Sequence, residues 1–189
     1  MARAAQHGGN VLEIAERHGL DASEIIDFSA NINPLGMPDS LRQAIVDNLA
    51  LAERYPDIEY RHLHRAIARH TGTPVEWCMA GNGATELIFS LVAKLAPRRA
   101  LLPVPGFAEY RRALERIGCD IIDVQLNEAD DFQPTDALLS VLDEQIDCLF
   151  LCTPNNPTGQ QPEIDRNIRR CPMQRRIFHK MPGHSVPAA

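Results

Sequence analysis

Residues 76–107, EWCMAGNGATELIFSLVAKLAPRRALLPVPGF, contain two short apolar segments that each end at a turn. The first predicts a short strand, and after its Gly-rich turn the apolar spacing predicts a helix from about Thr85 to Leu95. The second predicts a strand from Ala100 to Val104 that ends at a Pro/Gly turn. Strand, helix and strand in this order predict an α/β layered domain with a substantially parallel sheet.

The alternation continues downstream as far as residue 153. Residues 108–118, AEYRRALERIG, predict a helix ended by its glycine, and residues 119–126, CDIIDVQL, predict a strand. Residues 135–142 predict another helix, and residues 147–153, DCLFLCT, predict a strand that is buried on both faces. Ligands of such sheets bind in loops beyond the carboxyl ends of the strands. Three loops occupy those positions: GNGATE at 81–86, PVPGF at 103–107 and TPNNPTG at 153–159.

Upstream of residue 76 the sequence predicts helices. Apolar residues at helical spacing predict a helix over Val11–His18, which ends at Gly19. The same spacing predicts helices over residues 40–50 and about 60–70. Residues 25–36, IIDFSANINPLG, predict a short extended piece that leads into an Asn/Pro/Gly loop.

The composition limits the class of protein. The 189 residues, 44% of them hydrophobic, fit one domain with a sizeable core, and a net charge of −6 argues against nucleic-acid binding. No apolar run approaches the roughly 18 residues of a membrane span, and the N-terminus is too polar for a signal peptide. The five cysteines form no CxxC pair, which favours reduced thiols, no metal site and a cytoplasmic location.

Residues in the three loops allow both a ligand-binding and a structural interpretation. Gly81 and Gly83 precede a helix start whose unpaired N–H groups suit a phosphate, but their spacing is neither a dinucleotide fingerprint nor a P-loop, and an ordinary turn stays open. Phe107 is either a core aromatic or a flat face for a planar cofactor ring. Asn155 and Asn156 lie between two prolines that restrict the backbone, which favours a directed hydrogen bond over a solvent-facing turn.

Seven motifs extend over most of the chain: HGGN at 7–10, DFSANINPLGMP at 27–38, ERYPD at 53–57, HLHRAIARH at 62–70, AGNGATE at 80–86, PGFAEY at 105–110 and LFLCTPNNPTG at 149–159. Together they resemble the fold-type I, pyridoxal-phosphate-dependent aminotransferase superfamily, and most closely its threonine-phosphate decarboxylase family of cobalamin biosynthesis. GNG-x-x-E and NNPTG indicate only the superfamily, whereas HGGN and DFSANINPLG are more specific. The resemblance implies a three-layer α/β large domain, with a mostly parallel sheet and flanking helices.

The resemblance also implies pyridoxal 5'-phosphate as the cofactor and assigns roles to particular residues. The N–H groups of Ala84 and Thr85 would hold the cofactor phosphate. Phe107 would stack on the pyridine ring, and Asn156 would form a hydrogen bond with the 3-oxygen of that ring. Tyr55 would reach the cofactor phosphate in the partner subunit of a homodimer. On the substrate side the resemblance places His7 and Asn31 or Asn33.

The activity implied is decarboxylation of L-threonine O-3-phosphate to aminopropanol phosphate, with a small phosphorylated amino acid as substrate and neither a nucleic acid nor a membrane as partner. Residues 1–50 would form the N-terminal arm and the helices of the small-domain side, and residues 51–163 part of the cofactor-binding large domain. Histidinol-phosphate-type aminotransferases, which share RYPD and GNG, are the alternative within the superfamily. A non-catalytic fragment that dimerises or binds phosphate is the alternative from another class.

The last 26 residues differ from the chain before them. Residues 164–189 have six basic residues and one acidic residue, a net of +5, and lack strand alternation. The Schiff-base lysine and the carboxylate opposite the pyridinium nitrogen would lie downstream of NNPTG, and no family motif surrounds Lys94 or Lys180. We therefore expect a truncated chain without the catalytic lysine, interrupted near residues 162–164, with an out-of-frame, disordered tail.

Overall fold

The computed structural model describes residues 8–30, 32–134, 136–142, 145–161 and 177–180. The chain divides into two compact units, Met1–Cys78 and Met79–Ala189. The predicted boundary after residue 50 falls inside the first unit. It does so because the helix Arg61–Thr71 packs on the short 3₁₀ helix Val75–Trp77 and therefore belongs to the first unit.

Over residues 8–30 and 32–78, the first unit contains three α-helices and three short 3₁₀ helices. The α-helices are α1 (Val11–His18), α2 (Asp39–Asp47) and α3 (Arg61–Thr71), and the 3₁₀ helices are Ala22–Glu24, Leu49–Glu53 and Val75–Trp77. The predicted bounds of α1 are confirmed. The helix begins and ends at these residues because both of its ends are capped. Asn10 accepts the N–H of Glu13 at the start, and Gly19 adopts a left-handed φ of 65° at the end.

Few side chains of the first unit are buried. Among its described residues only Ala15 and Ala68 are buried. Leu41 and Ile45, which belong to the predicted apolar face of α2, are 50% and 47% exposed. The helices of this unit therefore form where they were predicted, but their apolar faces lack a shared core within the described residues.

The second unit contains a four-stranded sheet with helices around it. Its elements are α4 (Gly83–Leu95), β1 (Arg99–Val104), α5 (Ala108–Arg116), β2 (Asp120–Gln125), the 3₁₀ helix Glu128–Asp130, α6 (Asp136–Val141), β3 (Cys148–Thr153) and β4 (Ile177–Lys180). The strand order is β2-β1-β3-β4, and every pair is parallel. The longest described helix, α4, has 13 residues, and no described helix is long and apolar enough to cross a membrane.

The core of the second unit lies on both faces of this sheet. Because side chains alternate along a strand, Ala100 and Leu102 of β1 face one cluster and Leu101 faces the other. The first cluster joins the sheet to α4 and α5, and the second joins it to α6. Residues of α4, α5 and α6 in these clusters include Ile88, Val92, Tyr110, Leu114 and Leu138. The predicted three-layer α/β arrangement with a parallel sheet is confirmed.

The strand predicted before the Gly-rich turn is wrong. Residues 75–77 form a 3₁₀ helix instead, and no strand is found over residues 78–80. A strand needs a hydrogen-bonding partner, and none of the four described strands pairs with this segment. Trp77 and Met79, two of its apolar residues, are 78% and 61% exposed, so burial does not favour an extended conformation here.

The expectation of a disordered tail is wrong for residues 177–180. They form β4, which pairs with β3 so that Phe150 lies opposite Ile177 and Thr153 opposite Lys180. The exposed edge of β3 provides unpaired backbone groups for such pairing, and the β-branched and aromatic residues of the IFHK segment favour a strand. Residues 162–176 and 181–189, including the predicted point of interruption, lie outside the described residues.

Candidate active site

The first loop, residues 81–86, leads into the N-terminus of α4. Gly83 adopts a φ of +82°, which favours glycine, and it starts the helix. The carboxylate of Glu86 accepts the backbone N–H of Asn82. Among the described residues, no backbone hydrogen bond involves the N–H groups of Ala84 and Thr85. The first turn of α4 therefore presents two free donors and the positive end of the helix dipole, which together suit a phosphate.

The direction of α4 places its N-terminus near the carboxyl ends of the strands, which is called the carboxyl edge of the sheet below. Only residues 96–98 connect α4 to β1, and Ile88 and Val92 pack in the same cluster as the first face of β1. With so short a connection the helix runs back along the strand. Its first turn therefore lies at the same edge as the loops that follow β1 and β3, which is where ligands of parallel sheets bind.

The second loop, residues 105–107, follows β1 and holds Phe107 at the N-cap of α5. The Phe107 ring meets the Tyr110 ring edge-on, with centroids 5.5 Å apart and an angle of 83°. Tyr110 in turn stacks on Phe150 of β3 at 4.6 Å. Phe107 is nevertheless only half-buried. One side of the Phe107 ring therefore packs on the core, as expected of a core aromatic. The other part of the ring stays accessible to a ligand.

The third loop, residues 154–160, separates the roles of its two asparagines. The amide Nδ2 of Asn155 donates to the carbonyl oxygen of Pro105 at 3.1 Å and to Oγ1 of Thr158 at 2.9 Å. The Asn156 side chain is half-buried and forms no hydrogen bond within the described part of the chain. Asn156 therefore retains its hydrogen-bonding groups for a ligand, whereas those of Asn155 connect two loops.

A buried hydroxyl lies beneath these loops. Tyr110 is 4% exposed, and burial, together with a hydrogen bond with Cys152, raises its pKa far above the ordinary value. The Cys152 thiol donates to the carbonyl oxygen of Pro154 at 3.2 Å. Tyr110 therefore stays neutral at physiological pH, so it supports the loops and is not a source of charge. Burial also raises the pKa of Cys148 to about 12, which makes that thiol unreactive.

The structure describes two of the four site residues predicted in the first unit, Tyr55 and Asn33. Tyr55 is fully exposed. The Asn33 side chain is engaged in its own turn, where it donates to the carbonyl oxygen of Gly36 at 3.1 Å and accepts the N–H of Leu35 at 3.1 Å. His7 and Asn31 lie outside the described residues. The roles predicted for these four residues therefore stay predictions.

The two lysines of the chain lie in different places relative to the α4 N-terminus. Lys94 is exposed in the last turn of α4, and at 1.5 Å per residue its Cα lies roughly 15 Å along the helix from Ala84. That distance separates it from the phosphate-binding end. The backbone of Lys180 lies in β4 opposite Thr153, at the carboxyl edge of the sheet. No cluster of potential metal ligands is found in the described ranges.

The resemblance gave a role to Asn156 and none to Asn155. The signal that was present, two amides between two prolines, applied equally to both residues. Nothing in the sequence indicates that a carbonyl 50 residues earlier accepts the Asn155 amide. In the structure Ala84, Thr85, Phe107 and Asn156 all belong to the second unit, the first two in the first turn of α4 and the other two in the loops that follow β1 and β3.

Comparison with known proteins supports the resemblance that the motifs indicated. The chain is 57% identical over 157 residues to threonine-phosphate decarboxylase of Salmonella typhimurium, an alignment that covers 83% of this chain and 43% of that protein. It is 32% identical over 154 residues to histidinol-phosphate aminotransferase 1 of Cupriavidus pinatubonensis, covering 80% of this chain and 40% of that protein.

A solved structure shows the same fold. L-threonine-O-3-phosphate decarboxylase of Porphyromonas gingivalis superposes with a TM-score of 0.65 at 25% identity, covering 77% of this chain and 42% of that one. The chain therefore spans less than half the length of these three relatives. The model of the family described as aminotransferase class I and II matches residues 23–166, well over half of the chain. The chain belongs to the aminotransferase class I and II family.

Proposed function

We propose that this chain carries the cofactor-binding part of a pyridoxal-phosphate-dependent decarboxylase. The substrate would be L-threonine O-3-phosphate and the product aminopropanol phosphate, a step of cobalamin biosynthesis. The observation that carries the proposal is the 57% identity to a threonine-phosphate decarboxylase, compared with 32% identity to a histidinol-phosphate aminotransferase. The site in the second unit provides the physical support.

The residues at the carboxyl edge of the sheet fit pyridoxal phosphate. The free N–H groups of Ala84 and Thr85 suit its phosphate, because a helix N-terminus favours negative charge. The accessible part of the Phe107 ring suits a planar heterocycle, and the unengaged Asn156 amide suits the 3-oxygen of that ring. When bound, pyridoxal phosphate supplies an electron sink for the electron pair that departing CO2 leaves behind.

In this proposal the chain's own residues bind the cofactor and orient its ring. Two donors at a helix N-terminus hold one end of the cofactor, and a side-chain amide holds the other. The ring between them would be stacked on Phe107, whose own position is set by Tyr110 and Phe150. Since Tyr110 is buried and neutral, it adds no charge beside the Phe107 ring that it holds.

Two further proposals concern the first unit, and a third concerns the location of the protein. We infer that the protein acts as a homodimer in which Tyr55 reaches the cofactor phosphate of the partner subunit. Its complete exposure supports a role outside its own unit. His7 and Asn31 or Asn33 would contact the substrate, and the protein would act in the cytoplasm.

The first test is binding of pyridoxal phosphate to the purified chain, measured by titration calorimetry. Asn156→Ala removes the proposed contact with the ring, and Asn127→Ala is the matched control because Asn127 is exposed and its side chain caps no helix. We expect Asn156→Ala to weaken binding about 10- to 100-fold, since a hydrogen bond to a charged group contributes about 1.5–3 kcal/mol and 1.4 kcal/mol corresponds to a tenfold change. Asn127→Ala should bind as the parent does. A parent chain that binds no pyridoxal phosphate contradicts the proposal.

The second test addresses the reaction. Release of CO2 from carboxyl-labelled L-threonine O-3-phosphate, with pyridoxal phosphate present, would show that this chain supports the decarboxylation. Amino-group transfer from histidinol phosphate to 2-oxoglutarate, in place of CO2 release, would indicate the aminotransferase alternative. Binding with neither reaction would support the cofactor site and contradict catalysis by this chain. Borohydride treatment followed by mass spectrometry determines whether Lys94 or Lys180 bonds to the cofactor.

A further inference from the structure

We propose that Asn155 is a positioning residue that sets the distance between the two ring-binding groups, Phe107 and Asn156. This inference rests on the proposed function. The observation behind it is the hydrogen bond from the Asn155 amide to the carbonyl oxygen of Pro105, at 3.1 Å, which joins two loops that are 50 residues apart in the chain. Phe107 lies two residues after Pro105, and Asn156 follows Asn155 directly.

The loop of residues 154–160 is held together by its own hydrogen bonds. The N–H of Asn155 donates to the carbonyl oxygen of Gln160 at 2.7 Å, and the N–H of Gly159 donates to the carbonyl oxygen of Asn155 at 2.7 Å. Thr158 Oγ1 accepts the second hydrogen of the Asn155 amide at 2.9 Å. These bonds stay within the loop, so they fix its shape without fixing its place relative to Phe107.

The loop of residues 105–107 is equally compact. A Cβ built on Gly106 would lie 2.6 Å from the carbonyl oxygen of Pro103, so the backbone turns back on itself closely at this point. Phe107 is held by Tyr110 from below. Each loop is thus a preformed piece, and the Asn155–Pro105 hydrogen bond joins the two pieces.

The two hydrogen bonds of the Asn155 amide can be removed separately. Thr158→Val keeps the shape of the side chain and removes the acceptor within the loop, while the bond to Pro105 stays. Asn155→Ala removes both bonds. Asn155→Asp keeps the size of the side chain and can still accept a hydrogen bond from Thr158, but a carboxylate cannot donate to the Pro105 carbonyl. If the contact with Pro105 matters, both Asn155 variants must differ from Thr158→Val.

The first readout reports on the loops without any ligand. 4-Fluorophenylalanine incorporated in place of Phe107 gives one ¹⁹F resonance that is sensitive to the packing of that ring. We expect Asn155→Ala and Asn155→Asp to shift or broaden this resonance and Thr158→Val to leave it unchanged. Circular dichroism establishes that each variant is folded, and Asn155→Asp preserves the test if Asn155→Ala fails to fold. An unchanged resonance in a folded Asn155 variant overturns the proposal.

The second readout separates positioning from general destabilisation. We expect Asn155→Ala to weaken binding of pyridoxal phosphate about five- to tenfold, because of its two lost hydrogen bonds only the one to Pro105 positions the ring-binding groups, and it is an ordinary hydrogen bond. Binding of inorganic phosphate, which uses the N-terminus of α4 alone, should not change. Equal weakening of both ligands, or of neither, overturns the positioning role. A parent chain that binds no pyridoxal phosphate contradicts the proposed function, and the ¹⁹F resonance then still decides whether Asn155 couples the loops.

Discussion

Replacing Ala84 by proline removes one of the two donors proposed to hold the cofactor phosphate. Ala84 is exposed, it is the second residue of α4, and its N–H forms no described backbone hydrogen bond. Proline is tolerated in the first turn of a helix because the N–H it lacks has no partner within the helix. Ala84→Pro therefore removes a ligand contact and leaves the hydrogen bonds of the helix intact.

The magnitude follows from the kind of bond that is lost. A hydrogen bond to a charged group contributes about 1.5–3 kcal/mol, and 1.4 kcal/mol corresponds to a tenfold change in affinity. We expect Ala84→Pro to bind pyridoxal phosphate about 10- to 100-fold more weakly than the parent. Pyridoxal, which lacks the phosphate, should bind both proteins equally. Titration calorimetry with the two ligands gives the comparison directly.

Ser40→Pro is the matched control for this substitution. Ser40 is also exposed and is also the second residue of its helix, α2, in the first unit. The helix content of both variants, measured by circular dichroism, should equal that of the parent. If Ala84→Pro binds pyridoxal phosphate as tightly as the parent does, the N-terminus of α4 does not hold the phosphate. The same holds if pyridoxal loses as much affinity as its phosphate.

Three further predictions concern the loops and the core. Gly106→Ala should weaken binding of pyridoxal phosphate at least threefold in calorimetry. The reason is that the added Cβ would lie 2.6 Å from the Pro103 carbonyl oxygen, so the loop must shift and displace Phe107. An unchanged affinity would show that the loop tolerates a side chain. Phe150→Ala should lower the free energy of unfolding in urea by about 3–5 kcal/mol, because the Phe150 side chain is only 1% exposed. Phe28→Ala is the control: Phe28 is 94% exposed, so the free energy of unfolding should change by less than about 0.5 kcal/mol. Equal effects would contradict the described core. Burial raises the pKa of the Cys148 thiol from 9.0 to about 12. Between pH 9 and 12 this thiol therefore keeps its proton in the folded chain and loses it in the unfolded chain. The free energy of unfolding should fall as the pH rises through this range. Cys148→Ala should show a smaller fall in the urea midpoint over that range, and an identical fall would contradict this assignment.

Most elements of the second unit were predictable because their signals are local. The helices α4 and α5 have apolar residues at helical spacing and glycine or proline at their ends, and β3 is a continuous apolar run. The strand predicted before the Gly-rich turn failed because a strand also needs a partner. Which strands pair is decided by the whole sheet, and none of the four described strands pairs with this segment.

The candidate site was predictable only in part, for a similar reason. Glycines before a helix and amides between prolines are visible in the sequence and indicated the loops, while the resemblance named Ala84, Thr85 and Asn156 within them. Asn155 was missed because its partner is a backbone carbonyl 50 residues away, and every residue has such a carbonyl. The motif therefore indicated the loop but not which asparagine faces the ligand.

The most direct test of the account is a nuclear magnetic resonance titration of the ¹⁵N-labelled chain with pyridoxal phosphate. We expect the largest shifts of backbone amide resonances at Ala84, Thr85, Phe107 and Asn156. Inorganic phosphate should shift only the resonances of Ala84 and Thr85. Shifts confined to other parts of the chain, or no shifts at saturating ligand, would contradict the claim that this edge of the sheet binds the cofactor.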